Sequence, residues 1–284
     1  MKKTSVALGL FDGVHLGHRA VLQEAKNSGF TPVVFTFPAE TAVRKNSGGY
    51  IYSSNTRNFI LKNKFKFQVA CMNFEQLRYL SGEEFAEKIL CQELHACHVT
   101  CGYDFKFGYH ASCNVNDLQK FGEKFNFQVK LVKNIIQDKK IISSTVIRKL
   151  LLAGEIEQAN LFLGSPYLIL EPVSHGAQLG RKINFPTVNQ VFHENQLVPK
   201  FGVYASQTKM PDGKYFSSIT NIGLKPTVNY NGSPLAETYI KNFSGNLYDK
   251  ILQVQLLKFI RPEMKFNSIQ ALMQQMQEDL KFCF

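Results

Sequence analysis

The feature that most restricts the fold is a strand, a helix and a second strand that follow one another closely between Ser5 and Phe37. Ser5 to Leu10 is a short apolar run, and Arg19 to Asn27 has helical spacing. Gly29 stops that helix, and Pro32 to Phe37 is β-branched and apolar. Two strands joined through a helix pair in parallel, as a crossover unit rather than a hairpin. The alternation recurs, with a helix over Gly82–Cys91, a strand over Cys97–Gly102, a helix over Asn116–Phe125 and a strand over Gln128–Val132. It predicts a mostly parallel, doubly wound sheet. From Ser143 the pattern changes. A helical stretch, Val146 to Phe162, is interrupted at Gly154 and ended by Gly164, and short apolar runs follow between turn signals such as Pro211-Asp212-Gly213 and Gly245-Asn246. That spacing predicts an antiparallel barrel or sandwich, with a terminal helix over Ser268–Leu280 packed on it. A boundary near residue 160 separates the two patterns.

Composition excludes several classes. An apolar fraction of 44% and a charged fraction of 19% describe a globular chain rather than a disordered one. No stretch approaches the ~18 uncharged apolar residues of a membrane span, and the start lacks the apolar core of a signal peptide, so a cytoplasmic protein is expected. A net charge of +11 favours polyanions, including nucleotides, flavin phosphates and nucleic acid, without choosing among them. The segment Cys91–Cys101 holds three Cys and two His. It lacks the paired knuckles of a zinc site and reads as a buried strand, with Cys97 and Val99 on one side and His98 and Thr100 on the other. Neither a P-loop nor a G-x-G-x-x-G pattern is present.

The chemistry begins at GLFDGVHLGH, Gly9 to His18. His15 and His18, three residues apart at a helix start, share one face and can converge on one ligand. The helix N-terminus favours phosphate, and Gly17 leaves room beside the backbone. A solvated helix start with incidental histidines is the bland alternative, disfavoured by the strand and glycines on either side. At the end of this half, Ser143, Ser144 and Thr145 can cap the next helix and form a second anion site, with Arg148 as a guanidinium fork.

These strings resemble a known family. FDGVHLGH is similar to the signature of nucleotidyltransferases, and with GYDFKFG (Gly102 to Gly108) and ISSTVIR (Ile142 to Arg148) it resembles the N-terminal module of bacterial bifunctional riboflavin kinase/FAD synthetases. The resemblance implies that His15, His18 and Arg148 stabilise charge on the phosphates. It also assigns ATP and phosphate binding to Gly9, Phe11, Gly17, Asp104, Ser143, Ser144 and Thr145. Two stretches depart from the family. Thr36-Phe37-Pro38-Ala39-Glu40 stands where an Asp-Pro-His-Pro-like string is usual, and YHASCN after Gly108 lacks the usual Gly and basic residues.

In the second half, HGAQLGRKINFPTVN (His175 to Asn189) resembles the riboflavin kinase signature. Gly176, Gly180 and Arg181 are expected at phosphate, and Asn184 stands where the family has Gly. Thr187 and Asn189, two apart in an extended segment, present oxygens to one side and suit Mg²⁺. Glu237, in LAETYIKNF, matches the family's catalytic base ahead of an alternating strand; a strand-surface ion pair is the bland alternative. The resemblance therefore implies an α/β Rossmann-like nucleotidyltransferase domain with a parallel sheet over 1–160, then an antiparallel β-barrel kinase domain with a C-terminal helix over 161–284. It implies ATP as co-substrate, Mg²⁺ as cofactor, and riboflavin, FMN and FAD as ligands, with no specific nucleic acid and no membrane. Oligomeric state is left open. Two alternatives stay open as well: that only one module is active, or that a basic RNA-binding protein kept this fold. The second would need aromatic-basic platforms, and the chain has none in sequence.

Overall fold

The computed structural model describes residues 2–42, 48–175, 185–224 and 233–282. The chain forms two compact units, Met1–Ser144 and Thr145–Phe284.

The first unit is built on five parallel strands: β1 (Thr4–Leu8), β2 (Thr31–Thr36), β3 (Gln68–Cys71), β4 (Ala96–Gly102) and β5 (Gln128–Val132). They lie in the order β3-β2-β1-β4-β5, so the chain reverses its direction of travel between β1 and β4. Helix α1 (Leu16–Asn27) joins β1 to β2 and covers one face, burying Val21, Leu22 and Ala25. Two short helices follow, α2 (Ala39–Ala42) and α3 (Ser54–Phe59), the latter continued by a wider π-helical turn at Ile60–Lys64. After α4 (Phe74–Leu77), α5 (Gly82–Glu84) runs into a second π-helical stretch, Phe85–Glu93, and α6 (Val115–Phe125) precedes β5. Val6, Leu8, Val33, Phe35 and Val99 form the other face of the sheet and pack with Phe85, Ile89, Leu90 and Leu118. Both faces of β4 are enclosed, and His98 Nδ1 lies 2.9 Å from Ser5 Oγ. A small hairpin, β6 (Ile136–Gln137) with β7 (Lys140–Ile141), completes the unit.

Two limits differ from expectation. β1 ends at Leu8 rather than Leu10, because the chain enters a turn in which Phe11 has φ 54°. α1 begins at Leu16 rather than Arg19, because the His15 side chain caps it: Nδ1 accepts the His18 N–H at 3.3 Å.

The second unit opens with α7 (Ser144–Ala153) and α8 (Ile156–Leu163), parted at Gly154 and ended by Gly164 in the left-handed region. Six antiparallel strands follow: β8 (Tyr167–Pro172), β9 (Thr187–Val191), β10 (Gly202–Lys209), β11 (Tyr215–Leu224), β12 (Pro234–Ile240) and β13 (Ile251–Arg261). Their order is β8-β13-β10-β11-β12-β9, which leaves β8 and β9 as the two edges. Gln190, fully buried, joins those edges: its Nε2 donates to the Glu171 carbonyl at 2.7 Å and to the Leu252 carbonyl at 3.1 Å. Ser174 N–H adds a bond to the Asn189 carbonyl, 2.8 Å. The sheet thereby curls into a barrel. Its interior carries a chain of buried hydroxyls, Thr208–Ser218–Ser206–Thr220–Thr238, linked at 2.8–3.0 Å. The terminal helix, α9 (Ile269–Leu280), is held by Arg261, whose guanidinium grips the buried Asp279 carboxylate at 2.7–3.2 Å. Among the described residues no helix is long and apolar enough to cross a membrane.

Gln190→Ala removes two side-chain hydrogen bonds that tie β9 to β8 and β13, each worth about 0.5–1.5 kcal/mol. Amides of β8 and β9 should then exchange with deuterium faster in the full chain, while those of β1 and β4 keep their protection.

Candidate active sites

In the first unit the carboxyl ends of β1 and β4 flank the switch point of the sheet, where an open α/β sheet forms its crevice. The turn after β1 is conformationally costly. Phe11 (φ 54°), Gly13 (φ 85°) and Val14 (φ 45°) all have positive φ, and Val14 is β-branched. Such a turn persists only where its surroundings over-determine it. Here the buried Asp12 carboxylate accepts the Ile51 N–H at 2.8 Å and the Tyr52 N–H at 3.4 Å, and the Asp12 carbonyl accepts the Ser144 hydroxyl at 2.8 Å. Ser144 thus anchors the turn.

The turn delivers the histidine pair. The His15 and His18 rings stack with centroids 3.6 Å apart and planes 16° apart, and the Phe11 ring meets His18 edge-on at 5.3 Å. Because His15 Nδ1 accepts the His18 amide, a neutral His15 carries its proton on Nε2. His18 Nδ1 is buried without a partner among the described residues. Burial holds the His18 pKa well below the usual imidazole value, and the charges of His15 and Arg57 push it the same way. His18 is therefore a neutral imidazole at neutral pH. A Cβ on Gly17 would come within 3.1 Å of His15 Cε1, so this glycine makes room for the imidazole itself.

Beside the turn lies a cavity of about 570 Å³. Gly9 and Leu10 form one wall, and the rings of Phe35, Phe37, Phe85, Phe105 and Phe107 line much of the remainder. Arg78, Lys106 and His110 also line it, and none of the described lining residues is acidic. The sequence pattern had pointed to GYDFKFG but not to a cavity. Phe105 to Gly108 line it, whereas Asp104 is exposed and turned back over Gly102. Ser143 precedes α7, and Thr145 and Arg148 lie on it, in the second unit.

In the second unit the antiparallel register assembles the expected residues. Asn189 on β9 pairs with Glu237 on β12, and Glu237 pairs on its other side with Asn221 on β11. Directly paired residues project to the same face, so Asn189, Glu237 and Asn221 form a row across three strands. Thr187 lies on that face two residues from Asn189. Glu237 sits mid-strand rather than ahead of the strand. Asn189 is buried, and its Oδ1 has no partner among the described residues. Asn221 Nδ2 donates to Glu263 Oε1 at 3.1 Å, and the Glu263 carboxylate fills the space where a Cβ on Gly223 would sit, 2.1 Å away. Gly176, Gly180 and Arg181 lie outside the described residues, as does Asn184.

Residues 1–146 match the FAD synthetase family and residues 163–283 the riboflavin kinase family. The chain belongs to the bifunctional riboflavin kinase/FMN adenylyltransferase family. Relatives of that name include one from Listeria monocytogenes, 34% identical over 96% of this chain and 89% of its own length. Another, from Bacillus subtilis, is 32% identical over 98% and 90%. A crystal structure described as a macrolide-efflux protein from Streptococcus pneumoniae has a TM-score of 0.83 and 27% identity, covering 99% of this chain and 94% of that one.

The lowered His18 pKa has a thermodynamic consequence. An imidazole whose folded pKa lies below its unfolded value, about 6.5, adds stability that is complete above that pH. The contribution is lost as pH falls toward the folded value, because the unfolded chain binds the proton first. His98, also lowered by burial, acts in the same sense. The Tm of the full chain should therefore drop below about pH 6.5, and His18→Gln should show a shallower drop, with the His98 share remaining.

Proposed function

We propose that this flavin-biosynthesis enzyme carries out two ATP-dependent transfers, phosphorylating riboflavin to FMN and then adenylylating FMN to FAD with release of pyrophosphate. We assign the adenylyltransferase to residues 1–160 and the kinase to residues 161–284. The observation that carries the first assignment is the placement of a stacked histidine pair and an aromatic cavity at the same strand end. Phenylalanine rings suit the flat, apolar isoalloxazine. The basic side chains of the lining suit the FMN phosphate.

In adenylyl transfer the FMN phosphate attacks the α-phosphorus of ATP, and the P–O bond to pyrophosphate breaks. Little covalent chemistry is asked of the protein; position and charge carry the step. His15 Nε2–H is a donor toward the α-phosphate, and the buried, unpartnered Nδ1 of His18 leaves a second polar atom for ligand. Arg148, Thr145 and Ser143 are assigned to the ATP phosphates from sequence. Gly9, Phe11 and Gly17 hold the turn open. Asp104, exposed at the end of β4, is assigned to the nucleotide rather than the flavin.

In the kinase unit Glu237 accepts the ribityl hydroxyl proton as the oxygen bonds to the γ-phosphorus of ATP, and the bond from that phosphorus to the departing ADP breaks. The donor set fits Mg²⁺: Asn189 offers a buried, unpartnered oxygen and Thr187 a hydroxyl on the same face, two neutral oxygens that leave room for phosphate and water. When bound, the ion would offset phosphate charge. Gly176, Gly180 and Arg181 are assigned to the ATP phosphates from sequence.

Purified full-length protein with riboflavin, ATP and Mg²⁺ should yield FMN and then FAD, resolved by chromatography over time. His15→Ala and His18→Ala should abolish FAD while FMN still accumulates; FAD at parental level in both would move adenylylation elsewhere. Glu237→Gln should slow riboflavin phosphorylation about 10²–10⁴-fold with little change in riboflavin affinity, and leave FAD formation from supplied FMN intact. Near-normal phosphorylation by this variant would reduce Glu237 to a strand-surface carboxylate.

A further inference from the structure

Arg57 carries a charge that neither transfer uses. It lies on α3 and is 0% exposed. A guanidinium is buried at high cost unless its donors are taken up. Two of them are: Nη1 donates to the Leu10 carbonyl at 2.9 Å and Nη2 to the Phe37 carbonyl at 2.5 Å. Nε is buried without a partner among the described residues. The carboxylates of Asp12 and Glu40 and the Cys71 thiol lie near enough to interact with the charge.

The two carbonyls explain what this cost supports. Leu10 and Phe37 both line the aromatic cavity, one beyond the end of β1 and the other beyond the end of β2. The Leu10 carbonyl also accepts the Thr36 hydroxyl at 3.1 Å, so it is held from two sides. Leu10 immediately precedes Phe11, where the positive-φ turn toward His15 begins. One planar fork thus ties together the cavity wall and the entrance to the histidine turn. We propose that Arg57 is a positioning residue for adenylyl transfer, holding the flavin cavity and the histidine pair in a single geometry. The proposal rests on the reading of the first unit as the adenylyltransferase. Arg57 also acts on His18 through space, where His15 is the other charged neighbour and burial the larger influence.

The test compares Arg57→Met and Arg57→Lys in the full-length protein. Met removes the charge and both donors. Lys keeps the charge, but a single ammonium cannot reproduce the fork between two carbonyls. Both should lower kcat for FAD formation from FMN on the order of 10²-fold, with a much smaller change in KM for FMN. Riboflavin phosphorylation should stay at the parental rate. The His18 titration, followed by NMR, should move up toward the usual imidazole value in Arg57→Met and stay in place in Arg57→Lys. A Lys variant with parental kcat overturns the proposal, as does a loss shared equally by riboflavin phosphorylation. If Arg57→Met does not fold, the kcat and KM of Arg57→Lys decide alone. If the parent makes no FAD, the underlying reading of the unit fails instead, and an unmoved His18 titration in Arg57→Met would independently overturn the coupling.

Discussion

A turn that the backbone disfavours governs the first unit. Phe11, Gly13 and Val14 leave the ordinary regions of φ, and a β-branched residue gains nothing by doing so locally. The surrounding contacts must supply the difference. Asp12 supplies it twice over, with its carboxylate on the backbone of Ile51 and Tyr52 and its carbonyl on Ser144. The turn then sets the direction in which α1 starts, and the start of α1 sets the stacking of His15 on His18. The histidines are therefore products of contacts spread over more than a hundred residues of sequence, not of a local motif alone.

The second unit reaches its arrangement by another route. Antiparallel pairing of β9 with β12 brings Asn189 beside Glu237 by register. Register in turn depends on which face of each strand is buried, since a slip of one residue would exchange the two faces. Burial of Thr238, Ile240 and Gln190 keeps Glu237 and Asn189 on the opposite face. The same Gln190 joins the sheet edges, so closure and site geometry share a side chain.

Much of this was legible in the sequence, and the gaps have physical causes. The crossover between β1 and β2 was readable because an apolar run, a helical run and a second apolar run leave few alternatives. Strand β5 and the terminal helix fall where periodicity puts them. Limits failed where a side chain replaced a backbone signal: histidine is an uncommon cap, so α1 was read as starting three residues late. Arg57 gives a weaker signal, because an isolated Arg reads as a solvated charge. Its spacing to Ile60 and Leu61, three and four residues on, places it on their buried helical face and was the available clue. Gln190 gave less warning, since one amide in an extended apolar run shows nothing of the carbonyls it meets. The cavity escaped because its phenylalanines come from segments far apart in the chain.

The hydroxyl chain inside the barrel obeys a counting rule. Thr208, Ser218, Ser206, Thr220 and Thr238 bring five protons to the four bonds that link them. Each bond uses one proton, and each oxygen has only one to give. One oxygen must therefore accept from both neighbours or stand at an end, and its proton is surplus. Choosing that oxygen fixes the orientation of every other hydroxyl, so the row behaves as one unit with five settings. Losing an end member, Thr208 or Thr238, leaves a shorter row with a single surplus proton. Losing Ser206 from the middle leaves two rows and two surplus protons, each needing an acceptor of its own.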